Sequence, residues 1–205
     1  MQYINEQEPE QPILTNQAAK YVTEQTGWDQ TAVKKAVNVN MARLEKAGCI
    51  VRITKGIYCR RIKTAFGYYT PDKETLFCRR LLFDEGNVIG YETGLPVLNQ
   101  MGLISQAPNH RCIATNLHTS KIPPDIRIEV RKPTVQISAA NYRYLQLLDA
   151  IQNLNNAPID AANPEKVIKA AAESLSLNAD MLILTARKYY SQKTLIRTID
   201  IILGA

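Results

Sequence analysis

Apolar residues recur at helical spacing between residues 30 and 47, in a stretch that contains neither Gly nor Pro. This spacing predicts an amphipathic helix. Asp29 stands where it can cap the first turn, and Gly48 stands where a left-handed residue would end the helix. The apolar side of the predicted helix consists of Val33, Val37, Met41 and Leu44.

The opposite side of this helix is polar and basic. Directly after it, Ile50, Ile53 and Ile57 predict two short strands joined by a turn at 54–56, where Gly56 tolerates a positive φ. Cations recur along this hairpin as well. The polar helix residues are Thr31, Lys34, Lys35, Asn38, Arg43 and Lys46, and the hairpin cations are Arg52, Lys55, Arg60, Arg61 and Lys63.

A basic helix that is followed at once by a basic hairpin is typical of a winged helix-turn-helix domain. In such a domain the helix contacts base edges in the major groove, where Asn suits adenine and Arg suits guanine, while the hairpin holds phosphates. We therefore predict that the polar helix residues up to Arg43 read bases, and that Lys46 and the hairpin cations hold the DNA backbone. The alternative is a surface helix and hairpin whose charges are merely solvated.

The flanking segments predict a second helix and two irregular stretches. Residues 1–12 are acidic and are expected to be disordered. A helix over 15–26 ends at Gly27, and Trp28 is expected to fill the core beneath the two helices rather than to stack on a base. Residues 64–72 form a predicted connector whose three aromatic side chains pack between domains, with stacking on nucleotides as the alternative.

The rest of the chain predicts a small mixed module followed by helices. A helix that starts at Asp72 or Thr70, three short strands and a short helix account for residues up to 140. The predicted helices are 73–84, 93–101, 142–154, one that starts at Asn163-Pro164, 179–190 and 192–203; the predicted strands are 87–91, 110–115 and 125–131, with a turn at 121–124 between the last two.

The predicted fold class is therefore α+β. A disordered lead-in at 1–12 precedes an N-terminal winged helix-turn-helix domain at 13–63. A second domain at 64–205 consists of a small mixed α/β module at 64–140 and a C-terminal helical bundle at 141–205.

Charge supports a polyanionic partner for the first domain. The chain has a net charge of +6, yet residues 13–70 alone carry ten Lys and Arg against three Asp and Glu. No apolar run is long enough to cross a bilayer and the N-terminus does not resemble a signal peptide, so a cytoplasmic protein without a membrane partner is expected.

No catalytic or metal-binding pattern is found in the sequence. Phosphate-binding glycine loops, hydrolase nucleophile motifs and zinc-ligand spacings are missing, and the four cysteines are scattered. The two histidines, His110 and His118, stand beside cations and are as consistent with phosphate contacts as with catalysis. We expect no enzymatic activity, no cofactor and no metal.

Two motifs in the right order resemble a known family. The run MARLEKAGCIVRITKGIY contains Arg43, Gly48 and Gly56, and the later run YETGLPVLNQMGLISQAP contains Thr93 and Asn99. Together with TAFGYYTPD between them, these segments resemble the AbiEi-type antitoxins of type IV toxin–antitoxin (abortive infection) systems. The resemblance covers residues 15–132, and Glu92 stands where the family pattern has Pro or Ser.

The resemblance implies an antitoxin whose winged helix binds inverted repeats in its own promoter and represses transcription. The remainder of the chain would oppose an AbiEii-type nucleotidyltransferase toxin, without a stable complex being required. One alternative is a winged-helix transcriptional regulator with a ligand- or protein-binding C-terminal domain and no toxin partner. Another is a nucleic-acid-processing enzyme.

Overall fold

The chain folds into two compact units that both combine helices with small sheets. A computed structural model describes residues 2–7, 11–118 and 122–204. The units are Met1–Arg80 and Leu81–Ala205. The protein is thus of the α+β class. Residues 64–80 are grouped with the N-terminal unit, whereas the sequence placed a domain boundary after residue 63.

The N-terminal unit is built on a three-stranded antiparallel sheet with strand order β1-β3-β2. Ile13 of the first strand pairs with Tyr58 of the third. Its elements in chain order are α1 (Gln2–Glu6), β1 (Ile13–Leu14), α2 (Thr15–Thr26), α3 (Gln30–Lys46), β2 (Ile50–Thr54), β3 (Ile57–Arg60), β4 (Ile62–Thr64), β5 (Gly67–Tyr69) and α4 (Lys73–Leu82), which runs across the boundary between the units.

Local sequence determines where α3 and its hairpin begin and end. The Asp29 side chain accepts hydrogen bonds from the backbone N–H groups of Thr31 and Ala32, both at 2.9 Å. Gly48 has φ 75° just after the helix, and Gly56 has φ 79° in the hairpin turn. The predicted cap, helix end and turn are confirmed.

The prediction that residues 1–12 are disordered is wrong for Gln2–Glu6, which form a helix. Ile4 is buried among the apolar residues of α2, α3 and the sheet, and the guanidinium of Arg60 donates to the backbone carbonyls of Asn5 and Gln7. Tyr3 also packs against this core, with its ring 5.2 Å from that of Tyr21, so side-chain packing and hydrogen bonds together hold this short segment. Residues 8–10 lie outside the described residues.

Trp28 does not fill the core, contrary to the prediction. Its side chain is 64% exposed in the three-residue turn between α2 and α3. Ile13, Ile50 and Tyr58 of the sheet occupy the space beneath the helices instead. The sequence pattern did not predict β1, whose Ile13 contributes to this core.

The stretch read as an irregular connector is a second hairpin, formed by β4 and β5. Its three aromatic side chains, Phe66, Tyr68 and Tyr69, are exposed, so the prediction that packing buries them is wrong. The following helix α4 starts as predicted, because Asp72 accepts hydrogen bonds from the N–H groups of Glu74 and Thr75.

The C-terminal unit begins with a small sheet of strand order β10-β9-β8. Strands β8 and β9 are antiparallel, but β9 and β10 are parallel. A tight turn cannot join parallel neighbours, so the turn predicted at 121–124 does not link them as a hairpin; its first residue, Lys121, lies outside the described residues. The elements are β6 (Phe83–Asp84), β7 (Asn87–Val88), β8 (Gly90–Glu92), α5 (Leu95–Gln100), β9 (Arg111–Thr115) and β10 (Ile128–Arg131).

Helices complete this unit and bury its largest core. Leu147, Leu148 and Ile151 of the first helix are fully buried among residues of the other three. Pro164 opens the second helix as predicted, but the Asn163 side chain makes no capping bond. The helices are α6 (Tyr142–Asn153), α7 (Pro164–Ser174), α8 (Ala179–Tyr189) and α9 (Gln192–Leu203). Within the described parts of the chain, no helix is both long and apolar enough to span a bilayer.

Candidate nucleic-acid interface

The polar residues predicted on α3 all lie on its solvent side. Val33, Val37 and Met41 are buried against the sheet and α2, which turns the remaining sides of the helix outward. All six of the predicted residues are exposed: Thr31, Lys34, Lys35, Asn38, Arg43 and Lys46. We call these six residues the basic face.

The hairpin cations divide into two groups. Arg52, Lys55, Arg61 and Lys63 are exposed. Arg60 is half-buried, and its Nη1 donates to the carbonyl oxygens of Asn5 at 3.3 Å and of Gln7 at 3.2 Å. Because its guanidinium holds the N-terminal segment, Arg60 stands apart from the other cations of the predicted phosphate-binding set.

Backbone contacts hold the hairpin against the helices. The N–H group of Thr15, the first residue of α2, donates to the carbonyl of Gly56 in the hairpin turn at 3.1 Å. At the other end, a methyl group on Gly48 would lie 3.5 Å from Nη1 of Arg61. The Arg61 side chain therefore lies beside the C-terminal end of α3, so this hairpin cation lies next to the helix that carries the basic face.

This surface is predominantly positive, and the carboxylate of Asp29 lies beside it at the start of α3. No Asp or Glu occurs between Glu45 and Asp72 in the sequence, and Glu45 itself is half-buried. Among the described residues, no salt bridge involves the basic face or the four exposed hairpin cations. Such a surface suits a polyanion.

One exposed residue of α3 was missed by the sequence pattern. Val39 is 50% exposed and is separated by one helical turn from Lys35 on one side and Arg43 on the other. An apolar side chain between polar ones can contact the methyl group of thymine. Its spacing from the buried valines, rather than its residue type, is the signal that could have identified it.

A buried carboxylate was also missed, in the C-terminal unit. Asp149 of α6 accepts hydrogen bonds from three hydroxyl groups: Tyr91 at 3.0 Å, Thr93 at 2.8 Å and Tyr190 at 2.7 Å. We call these four residues the carboxylate cluster. It joins β8, α6 and the end of α8, elements far apart in sequence.

Burial controls the protonation of this cluster. Burial raises the pKa of the Asp149 carboxyl above its ordinary value, although the three hydroxyl donors oppose the shift. Burial and the neighbouring carboxylate raise the pKa values of Tyr91 and Tyr190, so both phenols stay protonated and donate. Burial also raises the pKa of the nearby Cys112 to about 11, which keeps this thiol protonated at neutral pH.

The second family-like motif has structural contacts throughout the unit. Thr93 is buried and serves the carboxylate cluster, and Gly94 has φ 69° with the Cys112 side chain close to where a Cβ would stand. The Asn99 side chain donates to the carbonyl of Ile104, in the loop after α5, at 3.0 Å. These residues shape the unit.

Among the described residues, no three His, Cys, Asp or Glu side chains are grouped as a metal ion would require. His110 lies 3.4 Å from Glu129 at the edge of the small sheet, in a shallow groove that Asn109 and Arg127 also line. His118 is exposed.

The protein is thus an α+β protein with a basic helix and hairpin in its N-terminal unit. It belongs to a protein family of unknown function (DUF6088), whose model matches residues 22–176. The matched region contains the basic face, both N-terminal hairpins and Asp149, while Tyr190 lies beyond it. No curated protein matches the chain.

Replacing Asp149 by Asn should remove a pH dependence of stability. With a raised pKa, native Asp149 holds its proton more tightly than the unfolded chain does. The contribution of Asp149 to the free energy of unfolding is therefore fully present below the ordinary Asp pKa of about 3.9. It is lost as pH rises through the raised pKa of the native state. Urea unfolding of wild type and Asp149→Asn across pH 4 to 8 measures the difference.

Asp160→Asn is the matched control, because the pKa of Asp160 is shifted in the opposite direction and its contribution to stability depends on pH with the opposite sign. Hydrogen bonds from Ser105 lower the pKa of the exposed Asp160 carboxyl, so its contribution is present at neutral pH and is lost as pH falls. Asp149→Ala should lower the free energy of unfolding by about 1–3 kcal/mol, because buried hydroxyl groups lose their acceptor. Identical pH profiles for wild type and Asp149→Asn would contradict the assignment.

Proposed function

We propose that this protein is a DNA-binding antitoxin that represses its own operon by binding inverted repeats in the promoter. The observation that carries the DNA-binding part is the basic face on α3 together with the exposed cations of the adjoining hairpin. Buried apolar residues on the other side of α3 leave the basic face no other orientation than outward.

The order of elements in the N-terminal unit supports a winged helix-turn-helix. Two helices are joined by a three-residue turn, an antiparallel hairpin follows, and the strand before the helices pairs with the second strand of the hairpin. In that arrangement the second helix, α3, enters the major groove and the hairpin acts as the wing. The helix would read bases and the wing would hold phosphates.

The antitoxin part rests on the resemblance of the two motifs to AbiEi-type antitoxins. Its proposed functional partner is an AbiEii-type nucleotidyltransferase toxin. Thr93, Leu98 and Leu103 of the second motif are buried in the C-terminal unit, so these residues would support antitoxin action by shaping that unit rather than by touching the toxin. A winged-helix regulator without a toxin partner is the alternative, and a neighbouring nucleotidyltransferase gene distinguishes the two.

Lys35→Ala combined with Arg43→Ala should abolish the gel shift of the promoter fragment. Each side chain that reads a base contributes about 1–3 kcal/mol, so the affinity should fall at least about 30-fold. Lys166→Ala combined with Lys193→Ala is the control, since both lysines are exposed on helices of the C-terminal unit and should leave the shift unchanged. An unchanged shift with the first pair would move DNA reading to another surface.

Charge reversal at Lys55 and Arg61 should weaken binding to specific and unrelated DNA alike. Phosphate contacts carry no sequence information, and each releases about 0.9 counterions. The slope of log affinity against log salt concentration should therefore become shallower by about two. A loss confined to the specific fragment would instead assign these residues to base reading.

The full-length Lys35→Ala, Arg43→Ala variant should still rescue cells that express the neighbouring toxin. The substituted residues lie in the N-terminal unit, whereas antitoxin action is assigned to the C-terminal part. Growth after co-induction is the readout, with expression driven from an unrelated promoter. Rescue by wild type alone would tie antitoxin action to DNA binding, and rescue by neither would favour a regulator without a toxin partner.

A further inference from the structure

The hairpin of β4 and β5, residues 62–69, has no buried side chain. Phe66 at its tip is 102% exposed, Tyr68 is 70% exposed and Tyr69 is 50% exposed. We call this segment the aromatic hairpin. Isolated two-stranded hairpins are marginally stable, and clustered exposed aromatic side chains mark an interaction site. Folding of the N-terminal core does not explain why these residues are aromatic.

The side chain of Thr64 makes two hydrogen bonds at the tip of the aromatic hairpin. The hydroxyl of Thr64 donates to the Gly67 carbonyl at 2.8 Å and accepts from the Phe66 N–H at 3.2 Å. Gly67 has φ 118°, which a residue with a side chain rarely adopts. These contacts define the turn that carries Phe66, and the Phe66 side chain points into solvent.

The charge around the aromatic hairpin identifies the partner. Lys63 pairs across the strands with Tyr68, so a cation and a phenol share one face, and Arg61 directly precedes the hairpin. No acidic residue occurs in residues 46–71. Aromatic side chains set among cations, without acids, complement a nucleic acid, in which phosphates flank flat bases.

We propose that the aromatic hairpin is an additional DNA contact in which Phe66 inserts between two base pairs and kinks the operator. This inference rests on the proposed function and adds a contact outside the basic face. Apolar side chains that enter the minor groove partially unstack a base step and bend the duplex. Lys63 and Tyr68 then hold the phosphates beside the kink, with the tyrosine hydroxyl as donor.

The test uses the full-length protein and circularly permuted copies of its promoter fragment. A kinked complex migrates more slowly when the kink lies near the middle of the fragment. Phe66→Ala should abolish this dependence on position and weaken binding about tenfold. Phe66→Leu should keep the kink, because insertion requires an apolar wedge and not an aromatic ring.

Phe83→Ala is the matched control, because Phe83 is an exposed phenylalanine on the β6–β7 hairpin of the C-terminal unit. It should leave both affinity and bending unchanged. Phe66→Ala should also leave the unfolding temperature unchanged, because the side chain is fully exposed. A melting curve for each variant therefore excludes misfolding as the cause of lost bending.

The outcomes separate this inference from the proposed function. If wild type shifts the promoter fragment and Phe66→Ala bends it as strongly, the insertion is refuted and the proposed function stands. If Phe66→Leu fails as Phe66→Ala does, insertion is refuted as well, and stacking of the ring on an exposed base replaces it. If wild type does not shift the fragment at all, the proposed function fails and this inference fails with it.

Discussion

The N-terminal unit depends on the antiparallel pairing of β1 with β3. This pairing buries Ile13 and places the N–H of Thr15 on the Gly56 carbonyl, so the hairpin is tied to the start of α2. It adds to the packing of Ile50 and Tyr58 of the hairpin against the apolar side of α3. The proposed base-reading helix and phosphate-holding wing would have to keep one geometry to register on a duplex, and the β1–β3 pairing contributes to that constraint.

The C-terminal unit depends in a comparable way on a buried carboxyl group. Asp149 sits among hydroxyl groups from β8 and the end of α8, and no cation pairs with it among the described residues. Burying a carboxylate is costly unless its oxygens are hydrogen-bonded. Three donors offset that cost here, and they require sheet and helices to meet in one arrangement. The hydrogen bond that Thr93 donates to Asp149 therefore explains why a threonine stands at this position of the family-like motif.

Local patterns identified most of the candidate interface. The apolar stripe of α3 predicted which side would be buried, and every polar residue predicted on the other side is exposed. Such patterns did not predict the contacts of Arg60 or the exposure of Val39 and Phe66. Nothing near Arg60 in sequence indicates that its guanidinium would reach the carbonyls of Asn5 and Gln7. Val39 and Phe66 are apolar, and a sequence pattern assigns apolar residues to the core because most of them are buried in folded proteins.

The sequence by itself determined the limits of α2 and α3, the caps at Asp29 and Asp72, the hairpin turn and the cationic character of the N-terminal unit. These features depend on residues within a few positions of one another. Only the tertiary structure decided that β1 closes the first sheet, that β9 and β10 run parallel, and that Trp28 stays outside the core. Each of these features depends on contacts between segments that are far apart in the sequence. The spacing of residues within one segment does not show which distant segment will pack against it.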